Sequence, residues 1–234
     1  MIDKYKASLS TQLLYYLQGQ KHSTSAKAQE SGLLVNSDPR IKPLNFPWAK
    51  NVEILAYTVE NVMTKEECDA WIAESEELGY EAALLNTGVG EVHDPYYRKS
   101  RRCIIDSHEK AEWLWERIKD FIPSNFNGKQ VVGLNERLRF LRYEDGDYFK
   151  PHYDGSYARP DNSERSLVTI QMYLNEGFQG GETTFLGPNK EEVRVVPKTG
   201  QILVFEHPLL HEGSLLISGQ KYSMRTDVMY KQLN

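Results

Sequence analysis

The apolar and polar positions in the first half of the chain predict helices. Thr64 and Glu67 have the spacing of a capping box at a helix N-terminus, and Gly79 suits the position just beyond the C-terminus. A short amphipathic pattern over residues 1–20 predicts another helix. In the helix that follows Thr64, the expected buried stripe consists of Trp71, Ile72, Ser75 and Leu78.

A further helix and a series of short strands follow. Ser107 caps this helix, which is expected to reach Ile122 because Pro123 then ends it. Beyond residue 131 the pattern changes to short runs with strand character, separated by turn residues. The predicted strands are Leu134–Tyr143, Tyr148–His152, Leu167–Leu174, Thr183–Phe185, Glu192–Val196, Gln201–Phe205 and Lys221–Tyr230. This order indicates an α+β fold with a double-stranded β-helix, or jelly-roll, core and supporting N-terminal helices.

The same pattern divides the chain into an arm and one domain. Residues 1–45 are interpreted as an N-terminal extension, because residues 21–45 show little periodicity. The domain is predicted over residues 46–234, with helical support over 46–130 and the jelly-roll core over 131–234.

Composition and charge limit the class of protein. Of 234 residues, 40% are hydrophobic and 26% are charged, which is typical of a globular domain with a substantial core. A net charge of -5 and a pI near 5.7 argue against a protein that coats nucleic acid or an anionic membrane. No apolar stretch approaches the ~20 residues that cross a bilayer, and the N-terminus lacks a signal-peptide pattern. We therefore expect a cytoplasmic protein without a nucleic-acid or membrane partner, and the sequence indicates no oligomeric state.

The first candidate site residues are His152 and Asp154, which lie two residues apart around the end of a predicted strand. Because alternate residues of a strand share a face, both side chains are expected to point into one space. An imidazole and a carboxylate are two of the three ligands in the 2-His-1-carboxylate site of non-haem Fe(II). The third ligand must come from another strand, and His211 and His207 are the candidates. For His207 the simpler interpretation is a loop histidine with satisfied hydrogen bonds.

The last predicted strand carries Lys221, Ser223 and Arg225 on one face. If that face lines the barrel, its cations require an anion, since an unpaired buried charge costs several kcal/mol. A 2-oxoacid that chelates Fe(II) and extends a second carboxylate to these cations meets the requirement and leaves one metal position for O₂. Asp227 lies on the same face and could neutralise Arg225 instead. Alternatively, this is an edge strand with its charges in solvent.

Several segments together resemble a known family. In chain order they are RYEDGDYFKPHYDGS, MYLNEGFQGGETTF, LLHEG and SGQKYSMRTDVMYK. They resemble the Fe(II)/2-oxoglutarate-dependent oxygenases, and among these the prolyl 4-hydroxylase-like group, from about Leu134 to Tyr230. The resemblance implies a jelly-roll fold, Fe(II) and 2-oxoglutarate as cofactors, and ascorbate as reductant. The implied reaction is a dioxygenase reaction that hydroxylates a substrate C–H bond and releases succinate and CO₂.

The resemblance also implies roles for single residues. His152, Asp154 and His211 match the iron ligands, which favours His211 over His207. Lys221 matches the basic residue that pairs with the distal carboxylate of 2-oxoglutarate. Further contacts to this cosubstrate are expected from Tyr143, Tyr173 and Arg225.

The substrate side departs from the family pattern. Phe149 stands where many prolyl hydroxylases have a tyrosine, and Arg225 could bind an acidic substrate group instead of 2-oxoglutarate. Phe149 and Arg98 are the expected substrate contacts. The arginines at 137, 139 and 142 are expected on the outside of the barrel, paired with helix carboxylates.

The function that these residues favour is hydroxylation of proline in a peptide or protein, with O₂ as the second partner. An oxygenase for a free small molecule or amino acid is the alternative, and Arg225 favours it. A metal- and 2-oxoglutarate-binding sensor without turnover is a third hypothesis, which the intact set of ligands and Lys221 disfavours.

Overall fold

The computed structural model describes residues 38, 40–50, 52–87 and 90–232. The helices of this part are α1 (Lys65–Leu78) and α2 (His108–Ile118). The expected capping box of α1 is present: Thr64 Oγ1 accepts the Glu67 N–H, and a Glu67 carboxylate oxygen accepts the Thr64 N–H. The predicted stripe is wrong at Leu78, which is 61% exposed, while Cys68 on the inner face is fully buried.

Helix α2 is shorter than predicted. It begins after the expected cap Ser107, whose Oγ accepts the Lys110 N–H, but it ends at Ile118. A 3₁₀ turn over Lys119–Phe121 continues the chain, which is a common way for an α-helix to end. The helix predicted over residues 1–20 lies outside the described residues.

Antiparallel strands form two large sheets and two short strand pairs in the described part of the chain. The larger sheet, called the major sheet, has ten strands: β1 (Ile41–Pro43), β2 (Ala56–Val59), β16 (Ile202–Glu206), β12 (Glu164–Tyr173), β19 (Lys221–Gln232), β10 (Arg137–Tyr143), β7 (Arg101–Asp106) and β3 (Glu81–Ala82) in spatial order, with β9 (Lys129–Leu134) beside β19 and β8 (Asn125–Phe126) beside β9.

The smaller sheet, called the minor sheet, has five strands: β15 (Glu192–Val195), β14 (Thr183–Leu186), β17 (His211–Gly213), β11 (Tyr148–His152) and β6 (Arg98–Lys99). Short pairs are formed by β13 (Gln179–Gly180) with β18 (Leu216–Ser218) and by β4 (Leu85–Asn86) with β5 (Glu91–Val92). Strand β11 has the predicted bounds, but the strand predicted over Leu134–Tyr143 is divided between β9 and β10.

Apolar clusters lie on both faces of the major sheet. One face packs against α1 and α2 through residues such as Trp71, Leu114 and Phe140. On the other face, Phe205 and Leu203 of β16 join Phe185 of the minor sheet in a second cluster. The described part of the domain is therefore layered as helices, major sheet and minor sheet, and the space between the two sheets can hold a site.

The predicted boundary at residue 45 falls inside the sheet. Strand β1, within the segment assigned to the arm, pairs with β2 from Ile41 to Pro43. The arm before residue 38 lies outside the described residues, so the division into arm and domain stays a prediction. Among the described residues, no helix is both long and apolar enough to cross a membrane.

Candidate metal centre

Two adjacent strands of the minor sheet bring the candidate ligands together. His152 at the end of β11 pairs in register with His211 at the start of β17, and Asp154 follows β11 by two residues. The possible ligand atoms of these three residues all lie within 4.8 Å of one another. The structure therefore groups the three ligands that the sequence predicts, with His211 and not His207 as the third.

Backbone carbonyls orient both imidazoles in the same way. His152 Nδ1 lies 2.8 Å from the Lys150 carbonyl oxygen, and His211 Nδ1 lies 2.9 Å from that of Leu209. If each Nδ1–H donates to its carbonyl, each Nε2 lone pair remains available for a metal. Burial lowers the pKa of both imidazoles, which favours this neutral, metal-binding form.

Asp154 receives two contacts that fix its carboxylate. Thr169 Oγ1 donates to Oδ2 at 2.6 Å, and Arg225 Nη2 lies 3.2 Å from Oδ1. Burial alone would raise the pKa of Asp154, but the charge of the Arg225 guanidinium brings it below its usual value. Asp154 is therefore an anion whose orientation is set by the major sheet.

His207 is not the satisfied loop histidine that the sequence suggested. It follows β16 and is only 5% exposed, and neither ring nitrogen makes a hydrogen bond. Its Nε2 lies 3.5 Å from Asp227 Oδ1, next to the pocket but outside the ligand cluster. The interpretation was wrong because a turn directly after a central strand stays inside the molecule.

Lys221 is buried in the same pocket, on β19 in the interior of the major sheet, which excludes the edge-strand alternative. It is 2% exposed, and Nζ donates to the Gly181 carbonyl oxygen at 2.6 Å. No carboxylate of the described residues pairs with it, and burial lowers its pKa to about 8. The charge of Glu182 opposes this lowering only in part. A buried ammonium without an ion-pair partner is the feature expected of a site for an anionic ligand.

Glycines make the close approach to Lys221 possible. Gly180 and Gly181 both have positive φ, and a Cβ on Gly180 would lie 2.2 Å from the Leu215 carbonyl oxygen. A Cβ on Gly181 would lie 3.3 Å from Lys221 Cδ. This glycine pair therefore allows neighbouring segments to approach its backbone closely.

The two expected tyrosines lie on either side of the Lys221 ammonium. Nζ is 5.1 Å from the ring centroid of Tyr143 and 5.7 Å from that of Tyr173. Tyr143 lines the pocket, whereas the Tyr173 hydroxyl donates to Thr183 Oγ1 at 2.8 Å and the residue does not line it. Thr183 itself lines the pocket, so Tyr173 affects the pocket through its hydrogen bond to Thr183.

Phe149 and Arg98, the expected substrate contacts, both line the pocket. The Phe149 ring stacks on His152 with centroids 3.5 Å apart, and the Arg98 guanidinium lies 4.4 Å from the Phe149 centroid. Arg98 is fixed by hydrogen bonds to Ser100 Oγ and to the Leu84 carbonyl. The ring and the cation thus form one wall beside a candidate ligand.

The prediction that the arginines of β10 lie outside the barrel is wrong for Arg139. Arg142 does face outward and pairs with Glu76 of α1 at 2.9 Å, and Arg137 pairs with Asp106. Arg139, in contrast, lines the pocket and lies 3.5 Å from Asp227. The signal was present in the sequence: Tyr143 was expected to face inward, and residues at even spacing from it share its face.

A comparison with family models matches residues 138–226 to the 2OG-Fe(II) oxygenase superfamily. This range contains the three candidate ligands together with Lys221 and Arg225. The chain carries a 2OG-Fe(II) oxygenase domain. It is an enzyme that uses Fe(II), 2-oxoglutarate and O₂.

Curated relatives of this oxygenase come from Arabidopsis thaliana. Probable prolyl 4-hydroxylase 3 is 27% identical over 205 residues, which cover 72% of this chain and 67% of the relative. Probable prolyl 4-hydroxylase 11 is 34% identical over 152 residues, which cover 61% of this chain and 49% of the relative. The chain thus spans between half and about two thirds of the length of these relatives.

Solved structures share the fold of this oxygenase. A prolyl hydroxylase from Trichoplax adhaerens, in complex with a hypoxia inducible factor peptide fragment, has a TM-score of 0.60 at 16% identity and covers 74% of this chain and 82% of that one. A Pseudomonas putida prolyl-4-hydroxylase has a TM-score of 0.54 at 19% identity, with coverages of 77% and 94%. At these identities the likeness concerns the fold, which is of the jelly-roll type.

The pocket of this oxygenase fits the groups that the family uses. Two neutral imidazoles and one carboxylate are the donor set that non-haem Fe(II) takes on one face. The unpaired ammonium of Lys221 fits a cosubstrate with a second carboxylate. Both requirements are met by residues that face one another across the space between the sheets.

Proposed function

We propose that this oxygenase hydroxylates proline in a peptide or protein substrate and converts 2-oxoglutarate to succinate and CO₂. The observation that carries the oxygenase chemistry is the cluster of His152, Asp154 and His211 opposite a buried, unpaired Lys221. The prolyl substrate is supported by the relatives, which are named prolyl 4-hydroxylases.

The roles of the metal ligands follow from their contacts. His152 and His211 would bind Fe(II) through Nε2, because carbonyls take up both Nδ1 positions. Asp154 would bind it with a carboxylate that Thr169 and Arg225 orient. Bound there, Fe(II) with 2-oxoglutarate and O₂ supplies the oxidant that hydroxylates a C–H bond.

The cosubstrate side of the pocket is formed by the other sheet. Lys221 would pair with the distal carboxylate of 2-oxoglutarate, and Tyr143 would lie against the chain of this ligand. Tyr173 would contribute through Thr183, which its hydroxyl orients. Fixing the ligand at both ends restricts its position relative to the metal.

The position of Arg225 suits contact with the substrate better than contact with 2-oxoglutarate. It follows Lys221 by four residues on one strand, a span of ~13 Å at the usual rise of a strand. Its guanidinium contacts Asp154 and Asp227, at 3.2 and 2.9 Å. With Arg98 and Phe149 it would contact the substrate, and a contact to 2-oxoglutarate is its alternative role.

An oxygenase for a free amino acid or another small carboxylate is the second candidate function. The observation that favours it is the set of three guanidinium groups, from Arg98, Arg139 and Arg225, in one pocket. Ascorbate as reductant, a cytoplasmic location, and an arm over residues 1–45 before the domain at 46–234 complete the proposal.

The deciding experiment measures succinate release from 2-oxoglutarate with Fe(II), with and without a proline-rich peptide, and then the mass of the peptide. The expected result is stimulated succinate release and a peptide heavier by one oxygen atom. His152→Ala should abolish both, and Arg137→Ala, which lies outside this pocket, is the control. Turnover that persists in His152→Ala with iron still bound would refute the ligand assignment.

A further inference from the structure

Arg139 and Arg225 stand directly opposite each other on neighbouring strands β10 and β19. Both line the pocket, and 29% and 20% of their respective side-chain surfaces are exposed. Like charges at directly opposite positions of an antiparallel pair destabilise the sheet, and burial increases the cost. A pair of this kind in the interior of a sheet requires an anion.

Asp227 meets this requirement only in part. Its Oδ1 accepts from Arg225 Nη2 at 2.9 Å, and its Oδ2 lies 3.5 Å from Arg139 Nη1. The contact to Arg139 is an ion pair without a hydrogen bond, because Arg139 Nη1 is buried and has no hydrogen-bond partner. Arg225 Nε is buried and unpartnered as well. Asp227, together with Asp154 at 3.2 Å from Arg225, therefore positions the two guanidinium groups and leaves one buried N–H donor of each unused.

The side chains that line the pocket carry an excess of positive charge. Arg98, Arg139, Lys221 and Arg225 line it together with two carboxylates, Asp154 and Glu212. Asp227 and Glu182, which offset part of the charge of Arg225 and Lys221, are not among the lining residues. The charges of Fe(II) and the dianion 2-oxoglutarate cancel when both bind, so the lining that a substrate meets stays cationic.

We infer that Arg139 and Arg225 form a subsite that binds a carboxylate of the substrate beside the metal centre. The inference rests on the proposed function and narrows it to substrates that carry a carboxylate near the hydroxylated carbon. Asp227 fixes the spacing of the two guanidinium groups, and their unused N–H donors bind the anion in charge-assisted hydrogen bonds. This carboxylate is either an Asp or Glu side chain next to the proline of a peptide or the α-carboxylate of a free amino acid.

The test measures dissociation constants on the full chain loaded with Fe(II) and 2-oxoglutarate without O₂, so that no turnover occurs. One arm compares blocked proline tripeptides that carry Glu or Gln beside the proline, and the other compares free L-proline with L-prolinamide. We expect the carboxylate member of one arm to bind ~10- to 100-fold more tightly, as for a charge-assisted hydrogen bond. The arm that shows the preference identifies the source of the carboxylate.

Variants separate this subsite from general effects of charge. Arg139→Gln should reduce the preference to less than about threefold, and Arg139→Lys should restore part of it. Arg142→Gln removes an arginine of the same strand that faces outward onto Glu76, so it should keep the preference. Arg142→Gln lies outside the pocket lining, so it should also change succinate release without substrate by less than about threefold.

Two results would overturn the inference: carboxylates and amides that bind the wild type equally, or a preference that survives Arg139→Gln in a folded protein. Loss of the preference in Arg142→Gln as well would also overturn it, since a long-range charge effect would then be the cause. A wild type that releases no succinate from 2-oxoglutarate would refute the proposed function instead, and the binding comparison would still be readable.

Discussion

At the scale of single residues, Lys221 shows how burial prepares a group for a ligand. Its ammonium has one hydrogen bond, to the Gly181 carbonyl, and burial brings its pKa to about 8. A carboxylate that binds beside it favours the charged form, so ligand binding must raise this pKa. Below pH 8 the free protein already carries the proton, and above pH 8 the proton must be taken up on binding.

The affinity for 2-oxoglutarate should therefore fall as the pH rises above about 8. We expect the dissociation constant to increase by up to ~10-fold per pH unit between pH 8 and 9.5, which is the limit for one coupled proton. Lys221→Arg should remove this pH dependence because a guanidinium stays charged. Anaerobic titration calorimetry at several pH values checks the slope, and a flat profile in the wild type would contradict the role of Lys221.

At the scale of elements, the sequence predicted what local periodicity encodes. Strand β11 and the cap of α1 were predicted because alternation, turn residues and the Thr64–Glu67 pair lie within a few residues of one another. Strands β17 and β18 were missed because three residues show no period. The pairing of β17 with β11, which brings His211 to His152, is a tertiary contact and leaves no local signal.

The short pair of β13 with β18 depends on Gly180. It has φ +75°, and a Cβ there would meet the Leu215 carbonyl oxygen at 2.2 Å, whereas Gly177 has φ +90° and open space around it. Gly177→Ala is the control: both it and Gly180→Ala bear the ~1–2 kcal/mol cost of a left-handed residue, but only Gly180→Ala adds a clash. We expect Gly180→Ala to lose at least ~2 kcal/mol more in urea unfolding and to bind 2-oxoglutarate more weakly. Equal losses would show that the backbone approach at Gly180 is easily relaxed.

At the scale of the whole molecule, the residues that would bind Fe(II) and 2-oxoglutarate come from both sheets, so the bound groups would connect the sheets. His152 and His211 belong to the minor sheet, whereas Lys221, Thr169 and Arg225 belong to the major sheet. The apolar cluster around Phe185 and Phe205 connects the sheets on one side, and charged groups line the pocket between them. The cations that line this pocket lie close together, which costs free energy until an anionic ligand binds.

Fe(II) and 2-oxoglutarate together should therefore stabilise the fold, because they bind the folded state and connect its layers. At 100 times the dissociation constant, binding contributes about 2.7 kcal/mol, which for a chain of this size raises Tm by ~5–10 °C. Anaerobic differential scanning calorimetry with each ligand alone and with both measures the shift, and we expect the joint shift to exceed the sum. In His152→Ala the metal-dependent part should vanish, because one imidazole and one carboxylate remain. An unchanged shift in that variant would mean that the stabilising metal binds elsewhere in the protein.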